Sequence, residues 1–265
     1  MSNEELTPEE AAKMLPAGAA LGWGLVKPPQ RGPKREMSID QIVSKAVEIA
    51  DQDGLTAVSM NRIASALGFT AMSLYRYIPS KDDLLILMQD AICDIPLPAE
   101  RPSHEWRESM REYVRGTVAI FREHPWYGDV PILGIPITPN HLRMVEWGLQ
   151  PLRDMPLDDF EKMSIVLLLS GYARHFGMLQ RDIDRAVQAG SSEEEFSGIN
   201  YSAALRMLVK PEQYPNLYPI VMSGVYSGEN EAENTVGDDL DFGLERMLDG
   251  IEQYLNRKMS GGTNP

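Results

Sequence analysis

Between residues 38 and 92, apolar positions recur every three or four residues in short runs that polar caps and glycines cut apart. Ile39, Ile42, Val43, Ala46, Val47 and Ala50 share one face of a predicted helix, opened by a Ser38/Gln41 capping box and closed by Gly54. Ser59 caps a second helix, with Val58 and Ile63 at hydrophobic-staple spacing, and Gly68 stops it after Leu67 in the left-handed conformation. Thr70 caps a third, Phe69 and Leu74 repeat the staple, and Pro79 ends it. Ser80 opens a fourth, with Asp82 and Asp83 in the first turn, where the helix dipole favours negative charge.

Beyond residue 100 the same period continues in longer pieces. Trp106, Met110, Tyr113, Val114, Thr117 and Phe121 mark one helix, and "TPNHLRMVEWGLQPL" (138–152) a second that starts with Thr138 as cap and Pro139 at the first position. Residues 157–188 are apolar almost all round their middle, the mark of a buried or partner-facing helix. A last helix over about 239–257 carries Leu244, Met247, Leu248, Ile251, Tyr254 and Leu255. No alternating strand pattern of useful length occurs, so the predicted fold class is all-α. Two stretches, "AGSSEEEFSG" and "KPEQYPNLYPIVMSGVYSGENEAENTVG", read as irregular, and the second is long enough to be a lid. Residues 1–30 read as an appendage with one short helix. Its "GWG" is only a fragment of a dinucleotide fingerprint and has no strand before it.

Composition narrows the class. The acidic start "MSNEEL" does not resemble a secretory signal, and the longest apolar run, "IVLLL", is too short to span a bilayer. A cytoplasmic location without membrane attachment is expected. The lone Cys93 excludes an intrachain disulfide and reads as a small buried hydrophobe. The net charge of −14 argues against coating nucleic acid by bulk attraction. It is unevenly spread, however: residues 31–90 hold seven Lys/Arg against eight Asp/Glu, so the excess acidity lies elsewhere.

The second and third helices, joined by "GFT", have the length and glycine turn of a helix-turn-helix, whose later helix enters the major groove. Helical geometry turns Leu74 and Ile78 inward with Phe69 and leaves Met72, Ser73 and Arg76 together on the opposite face. Arg76 suits two-pronged contact with guanine, whereas Ala71 and Met72 suit thymine methyls. Tyr75 and Tyr77 offer hydroxyls to phosphates, Ser59 and Thr70 sit at helix N-termini with free amides, and Lys81 adds a point charge. The run "RGPKR", with Arg31, Lys34 and Arg35, has the character of a basic arm for an adjacent minor groove.

The segment from "SIDQIVSKAVEIADQDGLT" through "SMNRIASALG" to "SLYRYIPSKDDLL" resembles the DNA-binding domain of the TetR family of bacterial transcriptional regulators. "SLYRYIPSKDDLL" is the most specific part. The likeness continues less sharply through "TPNHLRMVEWGL" and "DDLDFGLERMLDGIEQYL", which are similar to the tetracycline-repressor type of C-terminal domain.

The chain is expected to divide into an N-terminal extension with a basic arm (1–35), a three-helix DNA-binding domain (36–93) and a larger helical domain (94–265), to which the resemblance assigns effector binding and dimerisation. The resemblance implies a homodimer on a pseudo-palindromic operator, most often a repressor released by a small molecule. Carried over by position, Asn61, Ala71, Met72, Ser73 and Arg76 face bases, while Ser59, Thr70, Tyr75, Tyr77 and Lys81 hold phosphates. Ala71 and Met72 depart from the polar readers common there, and the leading 35 residues exceed the usual arm. The helix around 159–186, with small residues Gly171 and Gly177, and the last helix would form a four-helix dimer seam.

Tyr113, Thr117, Trp126, His141, Trp147, Tyr172 and His175 lie on the helices that enclose the family's ligand cavity. "LGIPITPNH" places aliphatics where a tetracycline-chelating His/Thr pair would lie, so neither a metal nor a cofactor is implied. Two other classes compete. A protein-binding module that had lost DNA would keep the fold. An enzyme would need a catalytic motif, and the nearest approach is Ser170, Arg174 and His175 in "SGYARH".

Overall fold

Each helix of the N-terminal half starts at the hydroxyl that the sequence offers. In this computed structural model, which describes residues 6–26, 37–132, 134–188, 190, 201–229 and 234–260, α3 (Ile39–Asp53) is opened by the reciprocal Ser38/Gln41 capping box. Ser59 accepts from the Arg62 amide at the head of α4 (Met60–Leu67). Thr70 accepts from Ser73 at the head of α5 (Ala71–Leu74), and Ser80 from Asp83 at the head of α6 (Lys81–Ile92). Gly54 and Gly68 take φ of 80° and 77°, values that a side chain would resist, and Gly68 ends α4 with its amide on the Ala64 and Ser65 carbonyls.

Ile42, Ala46, Ile63, Leu74, Ile78, Leu84 and Met88 close the core of this three-helix head and its linker helix α6. The third helix is shorter than the sequence suggests. After Leu74 the chain tightens, with the Arg76 and Tyr77 amides on the Ser73 and Leu74 carbonyls, because Pro79 disfavours helical geometry at the residue before it.

The leading segment is more than an appendage. Thr7 and Glu10 form a capping box on α1 (Pro8–Met14), and α2 (Ala17–Gly22) packs against α6 with Ala19 and Ala20 fully buried. This segment's mixture of small residues, glycine and proline is what makes it read as an appendage in the sequence.

The chain divides into two compact units, residues 1–177 and 178–265. In the first, α7 (Trp106–Glu123) and α8 (Pro139–Leu149) approach closely, since Gly116 and Gly148 leave room for Trp147 and Tyr113. α9 (Asp159–Gln188) begins in this unit, where it buries Ile165, Val166, Leu169 and Ala173. In the second unit α12 (Asp239–Met259) buries the stripe Leu244, Leu248, Ile251 and Leu255.

The stretch 210–237, read as a loop, holds α11 (Tyr218–Met222) after α10 (Ser202–Leu208), plus a 3-10 turn at Val225–Ser227. A five-residue helix with proline in its first turn gives too few periods to be read from sequence. The other stretch taken as irregular lies outside the described residues, apart from Gly190.

Candidate nucleic-acid interface and effector site

The reading helix is fixed from behind. Leu74 and Ile78 are fully buried, while Met72 is 71% exposed and Arg76 is open to solvent. Neither Arg76 nor Lys81 pairs with a carboxylate among the described residues. Asn61, Ser59 and Tyr75 are exposed, and Ala71, Ser73 and Tyr77 half-buried. Ser73 is partly engaged, its hydroxyl 2.9 Å from Thr70 Oγ1. Arg62, which the sequence did not single out, is exposed on α4 and ion-paired with Asp53. Arg31, Lys34 and Arg35 lie outside the described residues.

The predicted effector residues fall into a core cluster and a periphery. Tyr113 and Trp147 are buried edge-to-face, with ring centroids 5.4 Å apart, and the Thr117 hydroxyl donates to the Tyr113 carbonyl at 2.8 Å. The Tyr127 hydroxyl meets His141 Nε2 at 2.8 Å, and Tyr127 stacks on Phe121 with centroids 4.7 Å apart. Arg174 lies over the other aromatic of that stack, its guanidinium carbon 5.5 Å from the Phe121 centroid, and donates to the Gly128 and Val130 carbonyls. Tyr172 is half-buried against Phe176, and His175 is exposed in the single chain. The Ser170 hydroxyl donates to the Leu167 carbonyl and interacts with Tyr113. Ser170 and Arg174 are thus committed to backbone and packing.

Electrostatics keep this cluster neutral. Burial pushes the Tyr113 hydroxyl up to about 12, partly offset by Ser170, and pushes Tyr127 higher still. Burial lowers the His141 pKa, against an opposing pull from the Asp90 charge. The two ring nitrogens of His141 thus face two hydroxyls, Nε2 that of Tyr127 at 2.8 Å and Nδ1 that of Thr138 at 3.4 Å. Cys93 behind them is buried, its thiol raised to about 12 by burial and by Asp90.

Two contacts join this cluster to the DNA-binding head. Trp126 is fully buried, and its Nε1–H donates to Asp51 of α3 at 2.7 Å; His124 Nδ1 lies 2.9 Å from the same oxygen. Asp90 of the linker helix α6 accepts from the Asn140 amide at 2.8 Å, the His141 amide at 3.2 Å and Asn140 Nδ2 at 3.2 Å. It thereby caps α8, whose own Thr138 makes no side-chain cap. Asp51, Asp90 and Tyr127 escaped the sequence reading, and Arg174 entered it only beside Ser170 and His175, because Asp51, Asp90 and Arg174 each act on residues more than forty positions away. The local hints of a helix start were Thr138, which does sit at the N-cap position, and Pro139 at the first position of α8.

Residues 42–88 match the family model described as "Bacterial regulatory proteins, tetR family", and residues 97–255 the one described as "Tetracyclin repressor-like, C-terminal domain". The chain belongs to the TetR family. Among relatives of this family, the HTH-type transcriptional repressor DrrR1 of Streptomyces coeruleorubidus is 36% identical over 250 residues, covering 89% of this chain and 85% of its own. The HTH-type transcriptional repressor Rv1353c of Mycobacterium tuberculosis H37Rv is 26% identical over 234 residues, covering 86% and 85%. Of solved structures, the TetR family protein ActR of Streptomyces coelicolor in complex with actinorhodin superimposes with a TM-score of 0.69 at 25% identity, covering 84% of this chain and 98% of ActR.

For a TetR-family chain, one exposed surface now has a meaning. Along the first unit's part of α9, Phe160 is 87% and Leu167 72% exposed, with Met163 and Leu168 half open beside them. Such a contiguous apolar stripe on a single chain marks an association face.

Proposed function

We propose that this TetR-family regulator is a homodimeric repressor in which α5 reads an operator half-site and a small-molecule effector triggers release. The observation that carries the DNA reading is the division of one short helix into anchor and reader. Leu74 and Ile78 are fully buried, whereas Met72 and the unpaired Arg76 face out. Arg76 pairs with a guanine, Ala71 and Met72 pack on thymine methyls, and Asn61 and Ser73 lie within reach of base edges. Ser59, Thr70, Tyr75, Tyr77 and Lys81 hold phosphates on either side. Arg31, Lys34 and Arg35 belong to the same interface as a basic arm.

Pairing through the α9 stripe would bring two such heads into one dimer, with half-sites repeating about one helical turn apart or a multiple of it. The effector site in this reading is the cluster of Tyr113, Thr117, His141 and Trp147, with Tyr127 and Arg174 beside it and Trp126, Tyr172 and His175 at its edges. ActR, of similar fold, was solved with actinorhodin, which makes a ligand of that kind the first candidate here.

The deciding experiment is retardation of a duplex selected from a random pool by the wild-type protein. Arg76→Ala is expected to abolish retention while the dimer persists in light scattering. Full affinity in the variant removes Arg76 from base reading. Actinorhodin serves as a probe of the second half: quenching of tryptophan fluorescence that Tyr127→Phe and Arg174→Ala both weaken supports the pocket, and no response in wild type counts against this ligand class.

A further inference from the structure

The segment ahead of residue 42 lies outside both family models, yet residues 8–26 grip the molecule at two separated places. One grip is on the linker helix. The Gly18 amide donates to Asp83 Oδ1 at 2.6 Å, while Asp83 Oδ2 takes the Ser80 hydroxyl at 2.6 Å and the Asp83 amide binds Ser80 Oγ. The carboxylate in the first turn of α6 therefore also holds α2. Approach is so close that a Cβ on Gly18 would stand 2.5 Å from the Asp83 carbonyl oxygen. Ala19 and Ala20 complete the contact in full burial.

The other grip is on the effector domain. Trp23 Nε1 donates to the Ile137 carbonyl at 2.8 Å, immediately before α8. Gly22 lies between the two, where an added Cβ would be 3.6 Å from Pro139 Cδ and 3.7 Å from Leu87 Cδ2. Small residues at 18, 19, 20 and 22 make α2 thin enough to fit, and the tryptophan reaches across.

We propose that residues 8–26 form an internal strap that sets the position of the linker helix against the start of α8, and so governs how readily the reading heads reach their paired half-sites. The inference rests on the repressor reading, in which α6 joins the effector cluster to α5. Its physical content is a restraint: two fixed hydrogen bonds on opposite sides of one joint narrow the range of its relative motion. With the strap loosened, the two heads of a dimer sample a wider range of spacings, and binding to both half-sites weakens.

The full-length dimer carrying Trp23→Phe, which keeps the ring and deletes the donor, is compared with Gly18→Val, whose side chain collides with Asp83. Hydrogen–deuterium exchange in peptides spanning α6 and residues 137–149 is expected to quicken about 3- to 10-fold, the loss of about one hydrogen bond's protection, with α3 to α5 unchanged. Affinity for the duplex selected by wild type is expected to fall about threefold or more, a modest shift in the population of binding-competent dimers. Wild-type exchange rates in both variants overturn the strap, and altered exchange with unaltered duplex affinity overturns its role in DNA binding. If wild type selects no duplex at all, the repressor reading fails, while the exchange comparison still judges the restraint.

Discussion

The Nε1–H of Trp126 donates to Asp51 Oδ1 across 2.7 Å, so a fully buried side chain of the effector half ends on the first helix of the DNA-binding half. Asp51→Ala leaves that indole donor without a partner in the interior. A loss of about 1–3 kcal/mol is expected, the desolvation cost of an unmatched buried polar group. Asp51→Asn keeps an acceptor and is expected to lose less, both measured by urea denaturation at fixed protein concentration.

Lys81 stands exposed at the first turn of α6, free of any acidic partner among the described residues. If it neutralises one phosphate per subunit, Lys81→Ala lowers the slope of log affinity against log salt by about 1 per half-site. Sequence preference is expected to stay the same, because a phosphate contact carries no base information. A changed preference in a selected pool would move Lys81 among the readers.

The head was legible in the sequence because its determinants are local. Ser38, Ser59, Thr70 and Ser80 each bond an amide three residues on, and Gly68 needs only its own φ. The inward and outward split of Leu74 and Met72 follows from helix geometry alone. What stayed hidden depends on contacts across the chain: Asp51 with Trp126, Asp90 with Asn140, Arg174 with the Gly128 carbonyl. The same is true of α2, whose small residues gain meaning only against α6. His141, Trp147 and Tyr113 were singled out by residue type, but Tyr127, the partner of His141, had to be seen in place.

The His141 pKa is lowered below its ordinary value of 6.5, chiefly by burial. A group that binds its proton less tightly when folded contributes stability that is present above its unfolded pKa and lost as pH falls through it. The chain is therefore expected to lose stability as pH drops below about 6.5, and His141→Gln to flatten that part of the profile. Urea midpoints taken through that window decide it. An equally steep decline in the variant would assign the loss to other groups.

Gly177 admits Phe121 so closely that a Cβ would lie 2.5 Å from Phe121 Cβ. Gly177→Ala is expected to cost about 1–3 kcal/mol by overpacking. The displaced Phe121 carries Tyr127 with it, so quenching by the aromatic probe should weaken too. Normal stability together with normal quenching would show that α9 shifts freely at this point.

Leu167 is 72% exposed and Phe160 87% exposed on one face of α9. Leu167→Glu puts a charge into the proposed seam and is expected to yield monomers in light scattering. Since paired half-sites need paired heads, retention of the selected duplex should fall with it. A dimeric variant would place the seam elsewhere.

Asp90 belongs to one domain by sequence and completes a helix of the other. An effector fragment cut between residues 93 and 94 would start life with a bare amide end on α8 and with His141 on its loosened first turn. Dissecting this regulator at the obvious seam would therefore blunt the sensor it was meant to isolate; a cut that keeps α6 with the effector half preserves it.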